Sequence, residues 1–136
     1  MLVAIAGSRK LKLSVDQIDS IVKESGLEVS GIVSGKEPNG IDACGESWAR
    51  AKGIPLEKEF PPDWYNFNLP KNIIKVNPWG KKTNYYAPVH RNHLMVDYLK
   101  KRDGALIVIW SGNSKGSKDV LTYAREVGIK VFEKVI

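Results

Sequence analysis

Cysteine is almost missing from this chain. Cys44 stands alone, so no internal disulfide can form, and there is no Asn-x-Ser/Thr sequon. Both absences point to the reducing cytoplasm rather than to secretion. No apolar run approaches the roughly 20 residues of a membrane-spanning helix, so no membrane role is expected. The opening Met1-Leu-Val-Ala-Ile-Ala-Gly-Ser-Arg9 is apolar but lacks the charged lead-in of a signal peptide, and it reads as a buried strand. Histidine is scarce as well. His90 and His93 are three apart, but no third ligand has suitable spacing, so no metal site is expected. No Ser-His-Asp arrangement is apparent. Acidic residues are outnumbered, 15 against 21 basic, which leaves a formal charge of +6. That balance favours phosphate-bearing partners, nucleotide or nucleic acid, without choosing between them. A length of 136 residues with 43% hydrophobic content predicts one globular domain spanning 1–136.

What is present alternates between strand and helix. Leu2 to Ala6 is a continuous apolar run, as in a strand buried on both faces. Ser14 with Gln17 forms a capping box, followed at helical spacing by Val15, Ile18, Ile21 and Val22 until Gly26. Val29 to Val33 predicts a second strand, and Ile41, Cys44, Gly45, Trp48 and Ala49 one face of a second helix. Leu56 to Phe60 is a weaker strand. Pro61 to Tyr86, with several prolines and aromatics, is too long for a plain connector and predicts an irregular insertion that acts as a lid or other functional loop. Within it, Ile73 to Val76 suits a short strand or helical turn. A helix follows from about Val89 to Lys101, burying Leu94, Met95, Tyr98 and Leu99. Ala105 to Trp110 is the strongest strand, a last helix carries Val120, Leu121, Ala124 and Val127, and Ile129 to Val135 closes the chain. This order predicts an α/β fold, a doubly wound parallel sheet of about five strands in the order 3-2-1-4-5 with helices on both faces.

In such a sheet ligands bind beyond the carboxyl ends of the strands, where the order reverses. Three strands here end in glycine- or hydroxyl-rich loops: Gly7-Ser8-Arg9, Ser34-Gly35 through Gly40-Ile41-Asp42, and Ser111-Gly112 through Ser114-Lys115-Gly116-Ser117. Any one of them could simply turn the chain, but the predicted order brings all three together. Glycines let backbone amides approach an anion, serines add donors, and Arg9 and Lys115 add charge. Gly35-x4-Gly40 has the spacing of a Walker A loop, yet Ile41 and Asp42 replace its lysine and hydroxyl. An aspartate there repels phosphate and suits a ribose hydroxyl. Arg91 and Asn92 fall in the first turn of their helix, where acidic residues would be favoured, so a cation there suggests a bound anion. The same residues also suit a solvated helix start.

Ile5-Ala-Gly-Ser-Arg9, Val33-Ser-Gly35 with Gly40-Ile-Asp42, Phe60-Pro61 with Asp63-Trp64, Arg91-Asn92 with Met95, and Trp110 through Ser117 resemble the SLOG superfamily, in its YspA/YpsA-related branch. The resemblance is collinear and covers nearly the whole chain. It departs between Trp64 and Arg91, where the family has a short link and this chain carries an insertion, at about 61–86. It implies a single Rossmann-like domain that binds a nucleotide or nucleotide-derived ligand, ribose-phosphate, NAD-like or ADP-ribose-like, as a sensor of that ligand. It also implies, by analogy, a homodimer.

Two relatives point elsewhere. LOG-type phosphoribohydrolases release a base from a nucleoside monophosphate with an arginine and a glutamate. Arg91 matches the arginine, but Val120 stands where the glutamate belongs and Asp119 is one residue early. The candidates for catalysis in an N-glycosidase are therefore Arg91, Asp42, Glu46 and Asp119, with the LOG-type glutamate unmatched. DprA proteins share the Ser-Gly-x4-Gly-Ile-Asp and Arg-Asn motifs and bind single-stranded DNA, which leaves single-stranded nucleic acid as an alternative partner. For the nucleotide reading, the glycines Gly7, Gly35, Gly40, Gly112 and Gly116 shape the cradle. Ser8, Arg9, Ser34, Ser114, Lys115 and Ser117 line it, Asp42 takes a ribose hydroxyl, and Arg91-Asn92 a second phosphate or base edge. Trp64, Trp79 and Tyr85 of the insertion are expected to close over the base by stacking, or to form a packed flap. No cofactor beyond this nucleotide ligand is expected.

Overall fold

A computed structural model describes residues 1–136. Five parallel strands form the main sheet: β1 (Leu2–Gly7), β2 (Gly31–Ser34), β3 (Leu56–Glu59), β6 (Ala105–Trp110) and β7 (Lys130–Val135). Their order is β3-β2-β1-β6-β7. This is the expected 3-2-1-4-5 arrangement with one change of numbering, because two further strands precede β6. Those strands, β4 (Ile74–Val76) and β5 (Lys82–Asn84), form a separate antiparallel hairpin within the excursion.

Four helices cover the sheet: α1 (Val15–Ser25), α2 (Ile41–Lys52), α3 (Ala87–Lys100) and α4 (Lys115–Val127). Alternation along the central strands explains why both faces are covered. Val3 and Ile5 of β1, with Ile107 and Ile109 of β6, pack against Ile18 and Ile21 of α1 and Ile41 and Trp48 of α2. The intervening Ala4, Ala6, Leu106 and Val108 pack against Met95 and Leu99 of α3 and Leu121 and Ala124 of α4. Strands with apolar residues at every position have no solvent face, so burying them requires helices on both sides.

Local signals set the helix ends. Ser14 accepts from the Gln17 amide at 3.1 Å while Gln17 Oε1 accepts from the Ser14 amide at 2.8 Å, and Gly26 ends α1 in the left-handed region. α3 begins at Ala87, two residues before the expected Val89. Pro88 sits in its first turn, where a missing N–H costs nothing. Arg91 and Asn92 therefore belong to the second turn, and the helix-start electrostatic argument for Arg91 loses force. Leu94 points outward at 45% exposure, and Asn92, Met95, Val96 and Leu99 form the buried face instead.

The excursion is more ordered than its composition suggests. Asn77 Oδ1 accepts from the Trp79 and Lys81 amides at 3.0 and 2.9 Å, closing the hairpin turn. Asn84 is fully buried and holds the segment together. Its Nδ2 donates to Asn66 O (2.9 Å) and Asn72 Oδ1 (2.8 Å), and its Oδ1 accepts from the amides of Ile73 and Tyr86, each at 3.0 Å.

Candidate functional site

The loops after β1 and β6, Asp42 and Glu37 from the β2 side, and α3 surround one crevice of about 390 Å³. Gly7, Ser8 and Arg9 line it after β1, and Ser114, Lys115, Gly116 and Ser117 after β6. Asp42, Arg91 and Asn92 also line it. Four residues of the expected cradle, Ser34, Gly35, Gly40 and Gly112, do not.

The β6 loop and the start of α4 form the part best suited to an anion. Ser114 is the N-cap, and its Oγ accepts from the Ser117 amide at 3.3 Å and the Ser117 hydroxyl at 3.0 Å. The amides of Lys115 and Gly116, at the first two helical positions, have no partner within the helix. They lie where the helix dipole favours negative charge, and Lys115 lines the crevice beside them.

The β2 loop behaves differently. The Glu37 amide donates to Asp42 Oδ2 at 3.2 Å, the Lys36 amide to Ser34 Oγ at 3.1 Å, and the Ile41 amide to Ser8 O at 3.2 Å. Those three amides are occupied and are not available to a phosphate. The loop's glycines serve close approach. Gly40 has φ +83°, and a Cβ there would strike Ser8 O and the backbone of Arg9.

What this loop contributes is a buried carboxylate. Asp42 is 7% exposed, and burial pushes its carboxyl up to about 6, against the pull of nearby Arg91. Arg91 reaches across from α3, donating from Nη1 to Gly35 O and from Nε to Pro88 O at 3.3 Å. Burial lowers its guanidinium pKa, while Asp42 and Glu37 pull it back up. The neighbouring Asn92 turns the other way, donating to Gly116 O (3.4 Å) and Asp119 Oδ2 (3.2 Å). Arg91 and Asn92 thus tie α3 to both walls of the crevice.

Two catalytic candidates lie elsewhere. Glu46 accepts from Ser34 Oγ at 2.7 Å and pairs with Lys36 at 2.9 Å, outside the crevice lining. Asp119 faces Asn92 and His93, and His93 stacks on Tyr123 with ring centres 4.0 Å apart. At the next position of α4, Val120 lines the crevice with an apolar side chain. Asp42 and Glu37 are the carboxylates that line it. Sequence reasoning passed over Glu37, although it lies between the two glycines of the β2 loop, five residues before Asp42. It also passed over Lys10 and Asn113, each adjacent to residues it did select.

Of the excursion's aromatics, Trp64 lines the crevice. Tyr85 packs edge-on against it, with centroids 5.8 Å apart. Trp79 does not line the crevice; it stands at the hairpin tip, 84% exposed.

A five-stranded parallel sheet with helices on both faces and a crevice at the strands' carboxyl ends defines a Rossmann-like α/β protein. Residues 1–67 match the family model described as YAcAr, the YspA, cpYpsA-related SLOG family. The match takes in the β1 and β2 loops, Asp42 and Trp64. Neither curated proteins nor solved structures give a significant match. No helix is long and apolar enough to cross a membrane.

Proposed function

We propose that this protein binds a nucleotide or nucleotide-derived ligand, of ribose-phosphate, NAD-like or ADP-ribose-like type, in the crevice beyond β1, β2 and β6. One observation carries the reading: a single crevice combines an anion-favouring helix start with a buried carboxylate. Phosphate suits the first, through Arg9, Lys115 and the open amides of α4. A sugar hydroxyl suits the second, since an ionised Asp42 only accepts hydrogen bonds and a ribose diol donates them. Trp64 offers a ring to the base. We read residues 1–136 as one unit acting as a ligand sensor in the cytoplasm, with 61–86 inserted at the rim of its site.

Release of a base is the second reading. It is supported by Asp42, whose raised pKa would let it donate a proton to a departing base. The LOG-type arrangement gives it no further help, because α4 offers Val120 to the crevice. Native mass spectrometry of the purified protein tests the leading reading. A retained nucleotide-class small molecule that is displaced on titration with added nucleotide supports it. A protein that carries none, and that takes up no nucleoside phosphate or dinucleotide offered, contradicts it. Chromatography of the same mixtures tests the second reading, since an absence of free base rules it out.

A further inference from the structure

The outer surface of the excursion carries charge and rings that the crevice does not use. Lys71, Lys75, Lys81 and Lys82 are all exposed, and none forms an ion pair. No aspartate or glutamate occurs between Asp63 and Asp97. Among these lysines stand exposed rings: Trp79 at 84%, Tyr65 at 58% and Tyr85 at 43%. Ammonium and ring are paired, with Lys75 Nζ 5.0 Å from the Tyr85 centroid and Lys81 Nζ 5.7 Å from that of Tyr65. The strip starts at the lip of the crevice, where Tyr85 meets Trp64, and ends at the hairpin tip. Lys75 pairs with Thr83 and Val76 with Lys82, so Lys82 lies on the other face of the hairpin and outside the strip. Asn84 and the Asn77 turn hold its backbone, so the side chains are presented from a fixed support.

A surface of one sign repels a second copy of itself, which disfavours this face as a homodimer contact. An acidic protein would account for the lysines but not for the exposed rings beside them. That combination matches a chain of phosphates bearing unpaired bases, since stacking on aromatic rings is available to any base once it leaves a duplex. We propose that this strip docks single-stranded nucleic acid, with phosphates along the lysines and bases on Trp79, Tyr65 and Tyr85. The inference goes beyond the nucleotide reading of the crevice and does not depend on it.

Fluorescence anisotropy with a labelled oligothymidylate of about 20 nucleotides tests it, with a duplex of equal length for comparison. The single strand should bind more tightly than the duplex. Its affinity should fall about twentyfold between about 50 and 200 mM salt, as the slope of about −0.7 per neutralised phosphate gives for three lysines. Trp79→Ala should weaken strand binding about tenfold. The double variant Lys75→Glu/Lys81→Glu should weaken it further and flatten the salt slope by about 1.4. These positions are exposed, so circular dichroism and any nucleotide binding in the crevice should be unchanged, which separates failure here from failure of the crevice reading. Three results would overturn the proposal: no strand binding at low salt, equal binding by the hairpin variants, or a preference for phosphatidylserine vesicles over the oligonucleotide.

Discussion

Arg91 and Asp42 meet across Gly35. A methyl group placed on that glycine would lie 2.8 Å from Arg91 Nη1 and 2.9 Å from Asp42 Oδ2. The absence of a side chain at Gly35 is therefore what lets α3 reach the β2 loop. Gly35→Ala should cost about 1–3 kcal/mol, the usual range for overpacking, read as a lower urea midpoint. An unchanged midpoint would mean that the Arg91 contact yields freely and does not hold the crevice wall.

Burial of Asp42 sets a pH dependence whose sign is opposite to that of a paired carboxylate. Its folded pKa of about 6 lies above the ordinary value of 3.8. The folded state therefore holds this proton more tightly than the unfolded state. Its stabilising share is complete below about pH 4 and is lost as pH rises through 6. Asp42→Asn removes this loss, so at neutral pH the variant should be more stable, by up to about 3 kcal/mol. Urea unfolding of both proteins from pH 4 to 7 checks it. Curves that stay parallel over that range would show that Asp42 titrates normally.

The same substitution should weaken ligand binding. A stabilising change that costs binding is expected where a buried charge is kept for recognition. Wild-type affinity should rise with pH as Asp42 ionises and accepts the ribose hydroxyls, and Asp42→Asn should flatten that rise. Calorimetry at pH 5 and 7 distinguishes the two behaviours.

Asn84 ties together four partners inside the excursion. Asn84→Ala leaves those groups unpaired, at about 1–3 kcal/mol for each one that stays buried. We expect residues 61–86 to open locally while the main sheet persists. Limited proteolysis should then cut the excursion faster, with little change in far-ultraviolet circular dichroism. Equal cleavage rates would mean that the hairpin stands without Asn84.

The sheet was legible because its signals are local. Ala105 to Trp110 is uniformly apolar, and the structure forms a strand over those same residues. The Ser14–Gln17 capping box and the apolar face of α2 likewise appear as read. The hairpin was largely hidden, because Lys82-Thr83-Asn84 has no strand-like alternation and its burial depends on the distant Trp64 and Asn66. At the site, spacing identified the residues that gather around the crevice but not the direction of their amides. In the β2 loop, Ser8 O and Asp42 take the amides of Ile41 and Glu37, which the glycine spacing alone does not report. Hydrogen bonds of that kind join segments far apart in sequence, and no local pattern reports them.

Lys115 lines the crevice at the first turn of α4, where its charge adds to the open amides. Lys115→Ala should weaken binding of a phosphorylated ligand by about 1–3 kcal/mol, the range for a charge-assisted hydrogen bond. It should have little effect on stability, because the side chain is exposed and forms no ion pair. Equal affinity in wild type and variant would remove Lys115 from the site.

The most direct test of the central claim is titration calorimetry of the common nucleosides, their 5′-monophosphates, ADP-ribose and NAD against the wild-type protein. The account predicts that at least one phosphorylated ligand binds, and binds at least about tenfold more tightly than its parent nucleoside, the factor that a single charge-assisted contact supplies. Binding of no ligand in this set, or equal affinity with and without the phosphate, would contradict it.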